Sequence, residues 1–317
     1  MNMNMNMNMN MNMNMNMKIK VFYMIEASYE NDYVKYDLFH GIDNIEFIDY
    51  TAKDPSHFQN IMNHENINNN SMIVMNTDYY TKELFTKVEN MISNMKPLVI
   101  IWCSDQYGDR EDILSLSQYT KVMFRQYIYK NYINKNIPNL IQIPLGYMSN
   151  MLNQKNSLSL TIKPINERKY IWSSIIKLKN DRLEMLNKFI NAFDNNYYNT
   201  SGNVPLDVMV QIYSDSIFVP NGKGDWRLDC FRLYETSLLG SIPVVVGNYD
   251  LIEETFYYNN NKPPFVYADT WDNAIIKCRN LLENKSELDN IQKNILEWWK
   301  FNILNIRTII QNTIEHQ

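Results

Sequence analysis

The densest set of residues able to do chemistry lies at positions 218–247. It reads Phe-Val-Pro-Asn-Gly-Lys-Gly-Asp-Trp-Arg-Leu-Asp-Cys-Phe-Arg-Leu-Tyr-Glu-Thr-Ser-Leu-Leu-Gly-Ser-Ile-Pro-Val-Val-Val-Gly. Only eight glycines occur in 317 residues, and Gly222, Gly224, Gly240 and Gly247 all fall here. A strand is expected to end at Pro220, a glycine loop to follow, and a helix to open at about Leu228. Glycine lets backbone N–H groups approach an anion, and a helix N-terminus carries about half a positive charge. Lys223, Arg227 and Arg232 add cationic donors, so the stretch suits a diphosphate. Glu235 follows Arg232 by three residues on a similar helix face. A carboxylate there can accept both hydroxyls of a ribose while the arginine holds phosphate. The same two residues can also form a plain surface ion pair, worth on the order of a few tenths of a kcal/mol. Gly240 then ends the helix, and an apolar strand with Pro243 follows.

Such residues need elements to hold them. Short apolar runs alternate with longer helical ones from residue 18 onward. Strands are expected at 18–25, 45–50, 72–76, 98–103, 121–125 and 140–143, with helices at 79–95 and 127–136. Residues 98–103 are continuously apolar and β-branched, as a strand buried on both faces should be. A polar stretch with Pro164 reads as a linker over 151–168. Strands are then expected at 169–173, 217–219, 243–246 and 265–267, and helices at 181–193, 205–213, 228–239 and 271–282. A long final helix over about 287–313 carries Ile295, Trp298, Trp299, Ile303, Ile306 and Ile310 near one stripe, which suits a bracing or core role. Alternating strands and helices predict mostly parallel sheets. The expected organisation is therefore α/β: an acceptor-side domain over 18–150, the linker, and a second domain with the C-terminal helix over 169–317. A cleft between the two would receive a ligand beyond the strands' carboxyl ends.

Composition narrows the function classes. The chain has a mass of 37.8 kDa, is 45% hydrophobic and 21% charged, and carries a net charge of -5 with a pI near 5.5. A nucleic-acid binder would carry a basic stripe to displace phosphate counterions, so no nucleic-acid partner is expected. Cys103, Cys230 and Cys278 are odd in number and far apart, which fits a reducing compartment. Residues 1–16 are eight Met-Asn repeats followed by Met17. They have neither charge nor amphipathic period, and we leave 1–17 out of the fold as a low-complexity tail. Nothing there reads as a signal peptide, and no apolar run approaches the roughly 20 residues that span a bilayer. A cytoplasmic, membrane-free protein is the expectation.

The pattern Pro-x-Gly…Asp-x-x-Arg-x-x-Glu…Gly-x-Ile-Pro-Val, here Pro220, Gly222, Asp229, Arg232, Glu235, Gly240, Ile242, Pro243 and Val244, resembles the donor-nucleotide motif of exostosin-like glycosyltransferases. A second series points the same way. Trp102-Cys103-Ser104-Asp105, Phe124-Arg125-Gln126-Tyr127 and Ile143-Pro144-Leu145-Gly146-Tyr147 look like the "SDE … RNY … PLGY" series of that family's N-terminal domain. Arg182 matches an arginine that often follows the first strand of the nucleotide domain. The series runs in the expected order over residues 98–265, about half the chain. The resemblance implies two Rossmann-like domains facing a cleft (the GT-B type) and transfer of a sugar, with inversion, from a nucleotide-diphosphate sugar to a glycan or glycoprotein hydroxyl. Carried over, Arg232 and the Gly222–Gly224 loop hold the diphosphate, with Lys223 and Arg227 as the further donor-site cations read from the residues themselves. Glu235 binds the ribose, Arg182 sits near the phosphates, and Asp105 is the candidate base. The chain departs from the family pattern at three places: Asn221 stands where an arginine is frequent, Ile101 and Trp102 where a histidine often precedes the Ser-Asp pair, and Gln106 where a glutamate often follows.

Gly240-Ser-Ile-Pro-Val-Val-Val-Gly247 also fits α-1,3-fucosyltransferases, which would use a guanosine nucleotide sugar. A transferase-like protein that only binds is a third reading, motivated by the departures around Asp105. Gly222-Lys-Gly-Asp lacks P-loop spacing, no G-x-S-x-G elbow occurs, and His40, His57, His64 and His316 lie outside the informative stretches. No cofactor is expected, and no His/Asp/Glu cluster has ligand spacing for a metal. Acceptor loops are expected within 27–36 and 54–70.

Overall fold

The computed structural model describes residues 18–25, 30–50, 70–76, 82–103, 111–128, 135–224 and 227–316. Six strands, β1 (Ile19–Met24), β2 (Ile45–Asp49), β3 (Ser71–Asn76), β4 (Val99–Cys103), β5 (Val122–Arg125) and β6 (Leu140–Gln142), form one sheet in the order β2-β1-β3-β4-β5-β6. Five more, β7 (Tyr170–Ile175), β8 (Asn196–Asn199), β9 (Ser216–Asn221), β10 (Ile242–Val246) and β11 (Val266–Ala268), form a second in the order β8-β7-β9-β10-β11. Every pairing is parallel. Strands such as β4, Val-Ile-Ile-Trp-Cys, are buried along their whole length because crossover helices cover both faces. The expected pair of Rossmann-like domains is thus observed. In each sheet the strand order reverses once, between β1 and β3 and between β7 and β9. Crevices at such reversals, beyond the carboxyl ends, are where open α/β sheets bind ligands.

The helices are α1 (Lys82–Met95), α2 (Met151–Ser157), α3 (Arg182–Ala192), α4 (Leu206–Ser214), α5 (Phe231–Leu238), α6 (Tyr249–Thr255), α7 (Trp271–Glu283) and α8 (Lys285–Glu315). Sequence signals set several ends. Asn248 caps α6 by accepting from the Leu251 N–H at 2.7 Å, and Thr270 caps α7 by accepting from Asn273 at 3.2 Å. Asn284 alone separates α7 from α8; its Oδ1 accepts from the Glu287 N–H while its Nδ2 donates to the Glu287 carboxylate.

The structure adds to or changes several local expectations. The stretch read as a linker holds α2 and a 3₁₀ turn (Ile165–Glu167), and α2 packs on α4. Arg168 then pins the chain to the second sheet. Its guanidinium donates to the carbonyls of Lys163, Tyr213, Ser216 and Leu239 and to the Ser241 hydroxyl. β8 and α6 went unread, and α5 begins at Phe231 rather than near Leu228. Of the helix expected over 127–136, residues 129–134 lie outside the described residues, and 135–136 form a turn.

The two sheets are joined by more than the chain between them. The Gln142 side chain, at the carboxyl end of β6, donates to the Thr255 carbonyl at 2.9 Å and accepts from the Tyr258 N–H at 2.8 Å. α8 runs from the second sheet back onto the first. Its Trp299 ring lies 5.7 Å from Tyr234 on one side and 5.9 Å and 6.1 Å from Tyr33 and Tyr147 on the other. Farther along, Arg307 pairs with Asp37, whose carboxylate also accepts from the Tyr147 hydroxyl at 3.0 Å. Among the described residues no helix is long and apolar enough to cross a membrane.

Candidate functional site

The candidate site forms where the loops after β7 and β9 meet, at the reversal of the second sheet. Asp181, just before α3, does not cap that helix. One of its oxygens accepts from the Lys223 N–H at 2.9 Å and the other from the Trp271 Nε1–H at 3.2 Å. Asn180, in left-handed backbone at φ 52°, donates from Nδ2 to the Gly224 carbonyl at 2.7 Å. These bonds clamp the two loops together.

The glycines owe their place to that clamp. A Cβ on Gly222 would lie 2.5 Å from Cγ of Arg182, and one on Gly224 would lie 2.9 Å from the carbonyl oxygens of Arg227 and Asp229. The Gly224 N–H donates to the Arg227 carbonyl at 2.9 Å. Two amides expected to face an anion, those of Lys223 and Gly224, are therefore engaged within the protein. The turn that occupies them also delays α5 to Phe231, so the helix does not open directly from the glycine loop.

The side chains divide into groups. Arg182, the first residue of α3, is buried against Gly222 and donates to the Lys177 carbonyl at 3.1 Å. Arg227 turns away to Glu254 of α6, at 3.1 Å. The Lys223 ammonium has no protein partner among the described residues. Arg232 is half-buried on α5, and its Nη1 donates to Asn221 Oδ1 at 3.0 Å. Asn221, where the resemblance leads one to expect arginine, thus holds the Arg232 side chain beside the end of β9. Burial works to lower the Arg232 pKa, but Cys230, Tyr213 and Glu235 outweigh it and hold the guanidinium above its ordinary value.

Glu235 is 3% exposed and forms no ion pair with Arg232, so the surface-pair alternative does not describe it. Burial raises its pKa, opposed by the nearby Arg232 charge and by a hydrogen bond from the Met148 backbone N–H at 3.4 Å. Met148 directly follows the Pro144–Tyr147 series of the first domain. The two motif series, 87 residues apart at this contact, therefore meet in space. Asp105, the expected base, lies outside the described residues. Among the described residues no three His, Cys, Asp or Glu side chains converge on a metal-sized point.

Sequence reasoning missed the roles of Asp181, Asn180 and Met148. The Asn-Asp pair just before a helix was a usable signal for the first two. Met148 left none, because its contribution is a backbone amide.

One more carboxyl lies close by. Asp229 precedes α5 and is buried beside the Tyr234 hydroxyl and the Cys230 backbone N–H. Burial pushes its pKa up to about 8, so it keeps its proton at neutral pH.

No protein-family model matches the chain, and no curated protein is similar to it in sequence. Solved structures do resemble it. Anabaena Alr3699/HepE in complex with UDP superimposes with a TM-score of 0.53 at 8% identity, covering 95% of this chain and 100% of that one. The same protein in complex with UDP-glucose gives 0.50 at 7% identity, covering 94% and 100%. An α1,3-fucosyltransferase aligns over 92% of each chain at 11% identity, with a TM-score of 0.46. At such identities the likeness concerns fold, and it does not single out exostosin-like enzymes among those that share it. The fold is a GT-B-type pair of Rossmann-like domains.

Proposed function

We propose that this protein is a glycosyltransferase that takes a nucleotide-diphosphate sugar at the junction of β7, β9 and α5 and passes the sugar to a hydroxyl of a glycan or glycoprotein. The observation that carries the reading is the pairing on α5 of a half-buried Arg232, with no carboxylate at ion-pair distance among the described residues, and a buried Glu235. A guanidinium in that state is matched to phosphate oxygens. A buried carboxylate with an unfilled oxygen is matched to hydroxyl donors such as those of a ribose. Arg232 and the Lys223 ammonium would hold the diphosphate, with Arg182 and the Gly222–Gly224 loop shaping the wall behind it.

In the reaction the acceptor oxygen forms a bond to the anomeric carbon on the face opposite the departing diphosphate. The bond from that carbon to the diphosphate oxygen breaks, the diphosphate takes the electron pair, and a base takes the acceptor proton. Positive charge at Arg232 and Lys223 stabilises the negative charge that develops on the leaving group. Asp105, just past the carboxyl end of β4, is the proposed base.

The test is thermal-shift binding of UDP, GDP, CDP and their sugars to the wild type and to Glu235→Ala. A ligand present at a hundred times its Kd adds about 2.7 kcal/mol of stability. Selective stabilisation by one nucleotide, lost in the variant, is the expected result and names the donor base. No stabilisation by any nucleotide would sink the transferase reading.

A further inference from the structure

Both domains reach the candidate donor site: among the described residues the first meets Glu235 through the Met148 backbone N–H. We infer that Met148 is a positioning residue: its amide holds the Glu235 carboxylate so that the other oxygen is presented to a hydroxyl-bearing ligand. This rests on the donor reading above and adds a residue to it.

The geometry has three parts. First, Glu235 is buried, and among the described residues its hydrogen-bond donor is the Met148 N–H, at 3.4 Å on Oε1. Oε2 has no protein partner among the described residues. A carboxylate held at one oxygen is oriented, and its other oxygen is left to accept from a ligand hydroxyl.

Second, the loop that carries Met148 is held on three sides. Gly146 has φ 81°, and a Cβ there would fall 2.1 Å from the Tyr33 ring, so the loop lies directly on that ring. The Tyr147 hydroxyl donates to Asp37 at 3.0 Å, and Asp37 is in turn paired with Arg307 of α8. The Asp32 carboxylate accepts from the Asn150 N–H at 2.5 Å, and Ser149 Oγ accepts from the Asp32 N–H at 3.4 Å. None of these partners is on α5, so the amide is positioned independently of the carboxylate it meets.

Third, the Met148 side chain does little of this work, being 38% exposed. Its backbone and side chain can therefore be tested apart. The charge that acts on Glu235 is that of Arg232 on α5, and Glu235 in turn helps raise the pKa of the Tyr213 phenol on α4.

The experiment compares wild type, Met148→Ala and Met148→Pro by calorimetric titration with UDP, GDP and CDP from pH 5 to pH 8. Proline removes the N–H; alanine keeps it. The N–H favours the ionised carboxylate, so its loss raises the Glu235 pKa further. Affinity in Met148→Pro should fall about tenfold, and its decline on the acid side should begin at a higher pH than in wild type. Met148→Ala should match wild type. A variant with an ester in place of the residue-148 amide removes the hydrogen with less steric change, and serves if the proline variant does not fold. Equal affinity and an unshifted pH profile in a folded variant lacking the N–H overturn the inference and leave the donor site standing. Failure of the wild type to bind any of the three nucleotides overturns the donor reading, and the inference with it.

Discussion

Asp229 and Glu235 are both buried carboxyl groups within one short stretch of chain, and their surroundings give them different tasks. Glu235 has a guanidinium one helical turn away; no such charge acts on Asp229, where burial outweighs the Tyr234 hydroxyl and the Cys230 N–H, and it holds its proton to about pH 8. Its folded pKa is above the unfolded value, so the folded state binds the extra proton between roughly pH 4 and pH 8 and loses stability as pH rises through that window. Below it the cost vanishes, and above it the cost is constant. Asp229→Asn keeps the shape and removes the titration. The variant should be more stable than wild type at pH 7, by up to about 4 kcal/mol at roughly 1.4 kcal/mol per pH unit. Denaturant midpoints of the two proteins should converge near pH 4. A parallel pH dependence in both would show that Asp229 is ionised in the fold. Arg232 and Glu235 were legible as a pair because charge types and spacing are written in the chain. What was not legible is that the Lys223 and Gly224 amides are taken up by Asp181 and Arg227, because hydrogen bonds between distant loops leave no local pattern.

At the scale of elements, legibility followed burial. β3, β4 and β10 stand out as apolar runs because both their faces are covered, and their edges fell within a residue or two of expectation. β8, Asn-Tyr-Tyr-Asn, has no apolar run; pairing with β7 makes it a strand, and Tyr198 stacks on Trp172 with the rings 4° from parallel. α5 illustrates how an element's ends are held. It stops at Leu238, and Gly240 turns the chain at φ 75° into β10. A Cβ on Gly240 would come within 2.8 Å of both Arg168 Nη2 and Ile162 Cγ2. Arg168 cannot simply move, since its Nη2 also serves the Lys163 and Leu239 carbonyls. Gly240→Ala should therefore cost about 2 kcal/mol, combining left-handed strain with overpacking. Unfolding in urea is the measurement, and a loss below about 0.5 kcal/mol would mean that the turn adapts freely.

For the molecule as a whole, few polar contacts among the described residues hold the joint between the sheets, and Gln142 makes two of them at once. Gln142→Leu keeps the volume but leaves the Tyr258 N–H and the Thr255 carbonyl without their partner, at about 1–3 kcal/mol for each group that stays buried. Faster hydrogen exchange at residues 255–261, with β7 and β9 amides still protected, is the expected outcome; unchanged exchange there would show that another contact holds the joint. This joint was invisible in the sequence, because a glutamine at a strand end is unremarkable until its partners are known. The long C-terminal helix was anticipated, but its destination was not. α8 comes after both sheets in the chain, yet Trp299 and Arg307 close over Tyr33, Tyr147 and Asp37, which lie beside the sheet that comes first. On the ribosome, at about 5–20 residues per second, that sheet waits on the order of ten seconds between its own completion and the arrival of its cover. The domain that is made first is thus the last to be finished, and its exposed aromatic face is the surface a nascent chain of this protein must keep from sticking to others.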